Sequence, residues 1–282
     1  FLHPTKMDPV EGNQKLTHVG KGVWTLNDLD GMKGLVQNRC IFLLLPKPDC
    51  ASTFLAVVNP VKLTPAYKGL VQGLQQETGA DVEHLVSMGY KHHLYMPEWV
   101  KEFPEAKSHM FARDAAQPEQ KNCQASIVRY DVAAPQNILE PLVKTGEVEV
   151  ALHAGVGDGW IPSFSGRKEF GPNRYNLWLF HKPSRSLMSG CQAWAEPEEG
   201  GPEPWLLKKF LGMKRGSVSV WGKILDAPLC HATYKKVLGF DFDTYIPIHG
   251  PISRNAFLFV KQALEGHANQ TFHTNNTTEN TE

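Results

Sequence analysis

The chain carries no net charge: 29 Lys and Arg offset 29 Asp and Glu. Without a prevailing sign there is no general field to draw it to nucleic acid or to anionic lipid, which leaves a small, locally recognised molecule as the expected partner. Long apolar runs are missing too. The longest, 41–45, falls far short of the roughly 20 residues of a membrane-spanning helix and reads as a buried strand. The opening Phe1-Leu2-His3-Pro4 has no basic stretch followed by an apolar one, so no secretory signal is visible.

Cysteine is scarce. The five, Cys40, Cys50, Cys123, Cys191 and Cys230, are odd in number and widely spaced, with no Cys-x-x-Cys pair. That excludes a disulfide framework and favours a reducing, cytoplasmic compartment. Asn-x-Thr triplets at Asn269, Asn275 and Asn276 point the other way, because they would accept glycans in a secreted protein. They lie in a polar, Asn/Thr-rich stretch from 266 onward where such triplets arise readily, and that stretch is expected to be a disordered tail. No internal repeat is evident. The run Gly155-Val156-Gly157-Asp158-Gly159-Trp160 lacks the Gly-Lys-Ser/Thr ending and the following helix of a phosphate loop.

What remains is ordinary globular material, 41% hydrophobic and 21% charged over 282 residues, enough to bury a sizeable core. A single domain over 1–265 is expected. Strands are predicted within 15–26 and over 39–46 and 52–59. A helix follows, with Thr64 as N-cap, Pro65 in its first turn and Gly79 as its stop. A strand at 82–86 then completes the order of a right-handed parallel crossover. Further strands are predicted at 126–130, 148–152, 175–181, 186–189 and 245–247. Helices are predicted at 97–106, 136–144, 204–213, 227–238 and 254–264, the last capped by Ser253. The segment 153–175 is too glycine-rich for a helix, and its Trp160 and Phe164, with Phe170 and Trp178, are expected to line an apolar substrate pocket.

The chemistry-bearing residues cluster at strand ends. His92 and His93 follow the strand at 82–86, His153 follows 148–152, Cys191 follows 186–189 and His249 follows 245–247. The carboxyl ends of strands are where α/β sheets place their sites. Adjacent side chains on an extended segment point in opposite directions, so His92 and His93 facing one cleft together, or only one of them doing so, both remain open.

In the phrases around 88–93, 187–191 and 246–251 the sequence resembles the metallo-β-lactamase fold family, in a divergent form that covers about 15–265. The resemblance implies an α/β fold, a four-layer αββα sandwich. Most members of the family carry His-x-His-x-Asp-His after a strand, then a third His, then an Asp and a last His. Here Met88 and Tyr90 stand where the first two histidines belong, which implies that the family's first metal position is lost. The second position implies His93, Cys191 and His249, with His92 assisting, as ligands of one transition metal ion, zinc, with iron or manganese as alternatives. His153 as general base or substrate hydrogen-bonding group, and Tyr90 as oxyanion donor, would complete the catalytic set. The implied activity is metal-assisted hydrolysis of a small ester, lactone or thioester. A lyase or isomerase on the same fold, and a non-catalytic binding protein, are the alternatives.

Overall fold

The computed structural model describes residues 15–28, 38–89, 92–130, 137–157, 176–196, 217–220 and 222–274. The hairpin β1 (Thr17–Gly20) and β2 (Val23–Asp28) opens the chain and leads to β3 (Asn38–Pro46) and β4 (Thr53–Val58), all antiparallel. Helix α1 (Pro65–Thr78) then crosses over to β5 (Asp81–Val86), which pairs parallel to β4. The caps of α1 are those expected: Thr64 Oγ1 accepts from the Tyr67 N–H, and Gly79 closes the helix in the left-handed region. After α2 (Met96–Glu102), the parallel strand β6 (Lys107–Phe111), the single turn α3 (Ala112–Ala115) and a 3-10 stretch over Pro118–Ser126, β7 (Ile127–Tyr130) completes a seven-stranded sheet in sequential order.

The second sheet follows α4 (Glu140–Val143). It begins with β8 (Val148–His153) and the short β9 (Val156–Gly157), then β10 (Asn176–His181) and β11 (Ser186–Ser189). The hairpin β12 (Ala193–Glu196) and β13 (Ser217–Val220) lies to one side, and β14 (Lys223–Ile224) pairs with β9. Helix α5 (Ala227–Leu238) leads to β15 (Thr244–Pro247), and α6 (Phe257–Thr274) closes the described chain. The four main strands lie in the order β15-β11-β10-β8, with β11 and β15 parallel.

Strand alternation divides the core into three slabs. Ile41, Leu43 and Leu45 of β3 pack with Leu177, Leu179, Met188 and Ile246 between the two sheets. Cys40 and Phe42 on the opposite face of β3 pack with Val71 and Leu74 of α1 and Trp99 of α2. On the far side of the second sheet, Trp178, Phe180, Leu187 and Tyr245 meet Tyr234 and Val237 of α5 and Val260 of α6. Three slabs separate four layers: helices, sheet, sheet, helices. Because β3, β4 and β10 are covered on both faces, they are apolar almost throughout, which made them conspicuous in the sequence.

Some elements differ from the sequence reading. β6 went unforeseen, since Lys107-Ser108-His109-Met110-Phe111 carries too much polarity for a buried strand; its Ser108 and His109 are nonetheless buried. The helix expected over 136–144 is only the one turn of α4. The closing helix starts at Phe257, three residues later than expected, and runs on to Thr274, so the tail expected from 266 is helical as far as Thr274. His267 is buried there and bonds the Tyr234 hydroxyl at 2.7 Å, which anchors that extension. The helix expected at 204–213 lies outside the described residues. No helix among the described residues is long and apolar enough to cross a membrane.

Candidate metal centre

Three strand ends deliver the site. Beyond β5 the chain passes through buried Ser87 and Met88 to Gly89, whose φ of 116° turns it sharply. The His92 N–H closes that turn onto the Gly89 carbonyl at 2.9 Å. Leu177 N–H donates to the Met88 carbonyl at 3.0 Å, fastening this loop to the start of β10. Beyond β11 comes Gly190, where a Cβ would stand 2.9 Å from the Met88 carbonyl oxygen and 2.8 Å from Gln192 Oε1. The lack of a side chain there lets Cys191 approach the β5 loop. Beyond β15 the Ile248 N–H donates to Ser189 at 3.2 Å, which continues the parallel pairing as far as His249.

These turns bring His92, Cys191 and His249 together, with their ligand atoms all within 4.8 Å of one another. His92 Nε2 lies 2.5 Å from Cys191 Sγ, and Cys191 Sγ lies 3.2 Å from His249 Nε2. His92 is 9% and His249 6% exposed, and Cys191 is half-buried. Burial first, then the imidazoles of His249 and His93, hold His92 well below its ordinary 6.5, so its ring is neutral at pH 7 and offers a lone pair. Trp194 of β12 covers His249, with ring centroids 4.5 Å apart.

The donor set suits a transition metal. Two imidazoles and a thiolate match zinc and other borderline ions, and three such groups among the described residues equal the number of protein ligands that catalytic zinc sites use. Tetrahedral zinc sets neighbouring sulfur and nitrogen donors about 3.5 Å apart. The Cys191–His249 spacing is near that value, and His92 Nε2 and Cys191 Sγ approach more closely still.

No protein-family model and no curated protein matches the chain by sequence. Solved structures do match in shape. The DIM-1 metallo-β-lactamase superposes with a TM-score of 0.52 over 89% of this chain and 97% of that one, at 13% identity. A metallo-β-lactamase from Hirschia baltica gives 0.51 over 90% and 97%, at 8% identity. The Flv1 flavodiiron core from Synechocystis sp. PCC6803 gives 0.51 over 90% and 60%, at 12% identity. The chain has the metallo-β-lactamase fold. At these identities the likeness concerns fold alone, and the site must be argued from its own residues.

Within that fold the sequence-derived candidates separate. His92, Cys191 and His249 converge, whereas His93, expected beside them, is not one of the three. Its ring is buried, and its carbonyl accepts from Gln120 Nε2 at 2.9 Å, so it anchors the loop from behind. His153, expected as a catalytic group, is not among the three either. Val148 and Leu152 of β8 face the other sheet, so His153 at the opposite parity turns outward with Ala151 towards α5. Its ring is buried against Tyr234 at 5.7 Å, and burial lowers its pKa to about 3. Trp178, expected in a pocket wall, stands on the same face. Instead of lining a pocket, it is fully buried in the slab under α5 and α6, where its Nε1–H donates to His153 Nδ1 at 3.1 Å. Tyr90, Trp160 and Phe164 lie outside the described residues.

The sequence reading missed Trp194. The only signal for it was its position three residues after Cys191.

Proposed function

We propose that the protein is a metal-dependent hydrolase with a single zinc ion held by His92, Cys191 and His249, acting on a small ester, lactone or thioester. The observation that carries this reading is the convergence, among the described residues, of two imidazoles and one thiol from three separate strand ends within 4.8 Å. When bound, the ion would polarise a substrate carbonyl and acidify a water molecule. The chain supplies the rest. Neutral His92 presents a lone pair without having to lose a proton, His249 offers Nε2, and Cys191 ligates as thiolate. Trp194 packs on His249 and offers an apolar wall beside that ring. A chain with no net charge and an aromatic wall suits a neutral acyl substrate better than a polyanion.

Protein purified without chelator should carry about one zinc per chain. Cys191→Ala and His249→Ala should each weaken zinc binding by about 100-fold or more, since each removes one of three ligand bonds in a site worth on the order of 10 kcal/mol. Turnover of ester, lactone and thioester panels by the zinc-loaded protein, and its loss in both variants, tests the activity. Failure of the wild type to take up zinc, iron or manganese would sink the metal reading; metal uptake with no hydrolysis of any panel would sink the hydrolase.

A further inference from the structure

His92 and His249 come from different sheets, so the edge of the sandwich must be held at a fixed gap for both to reach Cys191. Arg39 crosses that gap. It lies on β3 at the same parity as Ile41 and Leu43, on the face towards the second sheet, and is 2% exposed. Its Nε–H donates to Asn27 Oδ1 at 2.9 Å within the first sheet, and its Nη1–H donates to the carbonyl of Pro247, the last residue of β15, two before His249.

The other end of Arg39 is tied towards His92. Its carbonyl accepts from Asn59 Nδ2 at 2.7 Å, and the Asn59 N–H donates to Val86 at 2.8 Å. Val86 ends β5, the strand that leads to His92. Asn59 is fully buried with φ of 57°, a left-handed conformation that asparagine tolerates better than most residues. One unbroken path of hydrogen bonds therefore runs from Val86 through Asn59 and Arg39 to Pro247, joining the strands that carry two of the three ligands.

We propose that Arg39 and Asn59 are positioning residues that set the separation of His92 and His249 and so tune the affinity of the metal centre. This rests on the metal reading above. A buried guanidinium is an expensive fastener. Taking the charge out of water costs several kcal/mol, a penalty visible in the way burial lowers its pKa to about 10. An unbranched apolar side chain of similar length would fill the same space without that cost. What methionine could not do is bond Asn27 and Pro247 together. Hydrogen-bonded partners that orient ligands in this way typically contribute about 10- to 100-fold to metal affinity.

The test is cobalt(II) titration of the full chain, following the Cys191 thiolate-to-cobalt charge-transfer band, with urea midpoints measured in parallel. Arg39→Met should bind cobalt about 10- to 100-fold more weakly and show a shifted band, at a urea midpoint close to wild type. Leu43→Ala, a cavity variant on the same face of β3, should lower the midpoint and leave cobalt affinity unchanged. Arg39→Lys keeps the charge but cannot span both acceptors, so it should also bind weakly; it decides the matter if the methionine variant does not fold. Wild-type cobalt affinity and an unshifted band in the Arg39 variants would overturn the proposal, as would a loss that Leu43→Ala reproduces. A wild type that binds no cobalt would overturn the metal reading and this proposal with it, whereas a binding wild type with unaffected Arg39 variants overturns this proposal alone.

Discussion

Gly250 follows His249 with φ of 89°, and a Cβ there would stand 1.9 Å from the Ala195 carbonyl oxygen. Both the backbone angle and the space exclude a side chain, and the obstacle is main chain that cannot rotate away. Gly250→Ala should therefore cost about 3 kcal/mol or more, read as a lowered urea midpoint, and should impair metal uptake because His249 moves with the loop. The His-Gly phrase was legible in the sequence, and so was Cys191 at a strand end. Which member of His92-His93 turns inward was not legible. That is decided by the closure of the His92 N–H onto Gly89, after which the His92 ring meets Cys191 while the His93 carbonyl accepts from Gln120. A resemblance to a motif fixes the order of ligands along the chain and leaves open which way each ring points.

At the scale of elements, β8 and β10 show how one residue of parity changes a role. His153 ends β8 at the position where the resemblance implied a catalytic group, and Trp178 occupies a run that reads as pocket wall. Both stand on the face of the second sheet that α5 and α6 cover. Parity was readable in principle, because Val148, Val150 and Leu152 form one apolar stripe and leave His153 on the other. Trp178→Phe removes the N–H that His153 Nδ1 accepts and should destabilise the protein by about 1–3 kcal/mol in urea unfolding. Zinc uptake by that variant should match wild type; a loss of uptake with no loss of stability would return Trp178 to the site. The same contrast governs the remaining elements. Helix α1 was legible because its caps are local chemistry, and the sheet strands because burial on both faces makes them uniformly apolar. β6 was hidden because its polar residues are satisfied by tertiary partners, Ser108 by Ser126 and His109 by His84.

For the whole molecule, those buried histidines make stability a function of pH. His109 is completely buried, with Nε2 2.8 Å from His84 Nδ1, and its pKa falls to about 3 through burial and then the neighbouring His84. His153, in the slab on the far side of the other sheet, falls to about 3 for the same first reason, with His267 second. Both rings are neutral in the folded chain, while in the unfolded chain they titrate near 6.5. Above pH 6.5 neither state binds the proton and the stability is fully present. Below it the unfolded chain takes up protons that the folded chain refuses, so each ring removes about 1.4 kcal/mol per pH unit, on the order of 3 for the pair, until the folded values near pH 3 are reached. A fall from pH 7 to pH 5 therefore removes about 4 kcal/mol, most of the stability of a domain at the low end of the typical range of about 5–15 kcal/mol. His84 and His267, also lowered by burial, act in the same direction. The urea midpoint should therefore be level above pH 7 and drop steeply between 6.5 and 5, before carboxylates contribute. The double variant His109→Gln/His153→Gln, with nothing to protonate at either place, should show a shallower slope over that interval even if it is less stable at pH 7. A wild-type midpoint that holds constant from pH 7 to pH 5 would mean that these rings can reach solvent, and the slab between the sheets and the slab under α5 and α6 would then be looser than their packing implies.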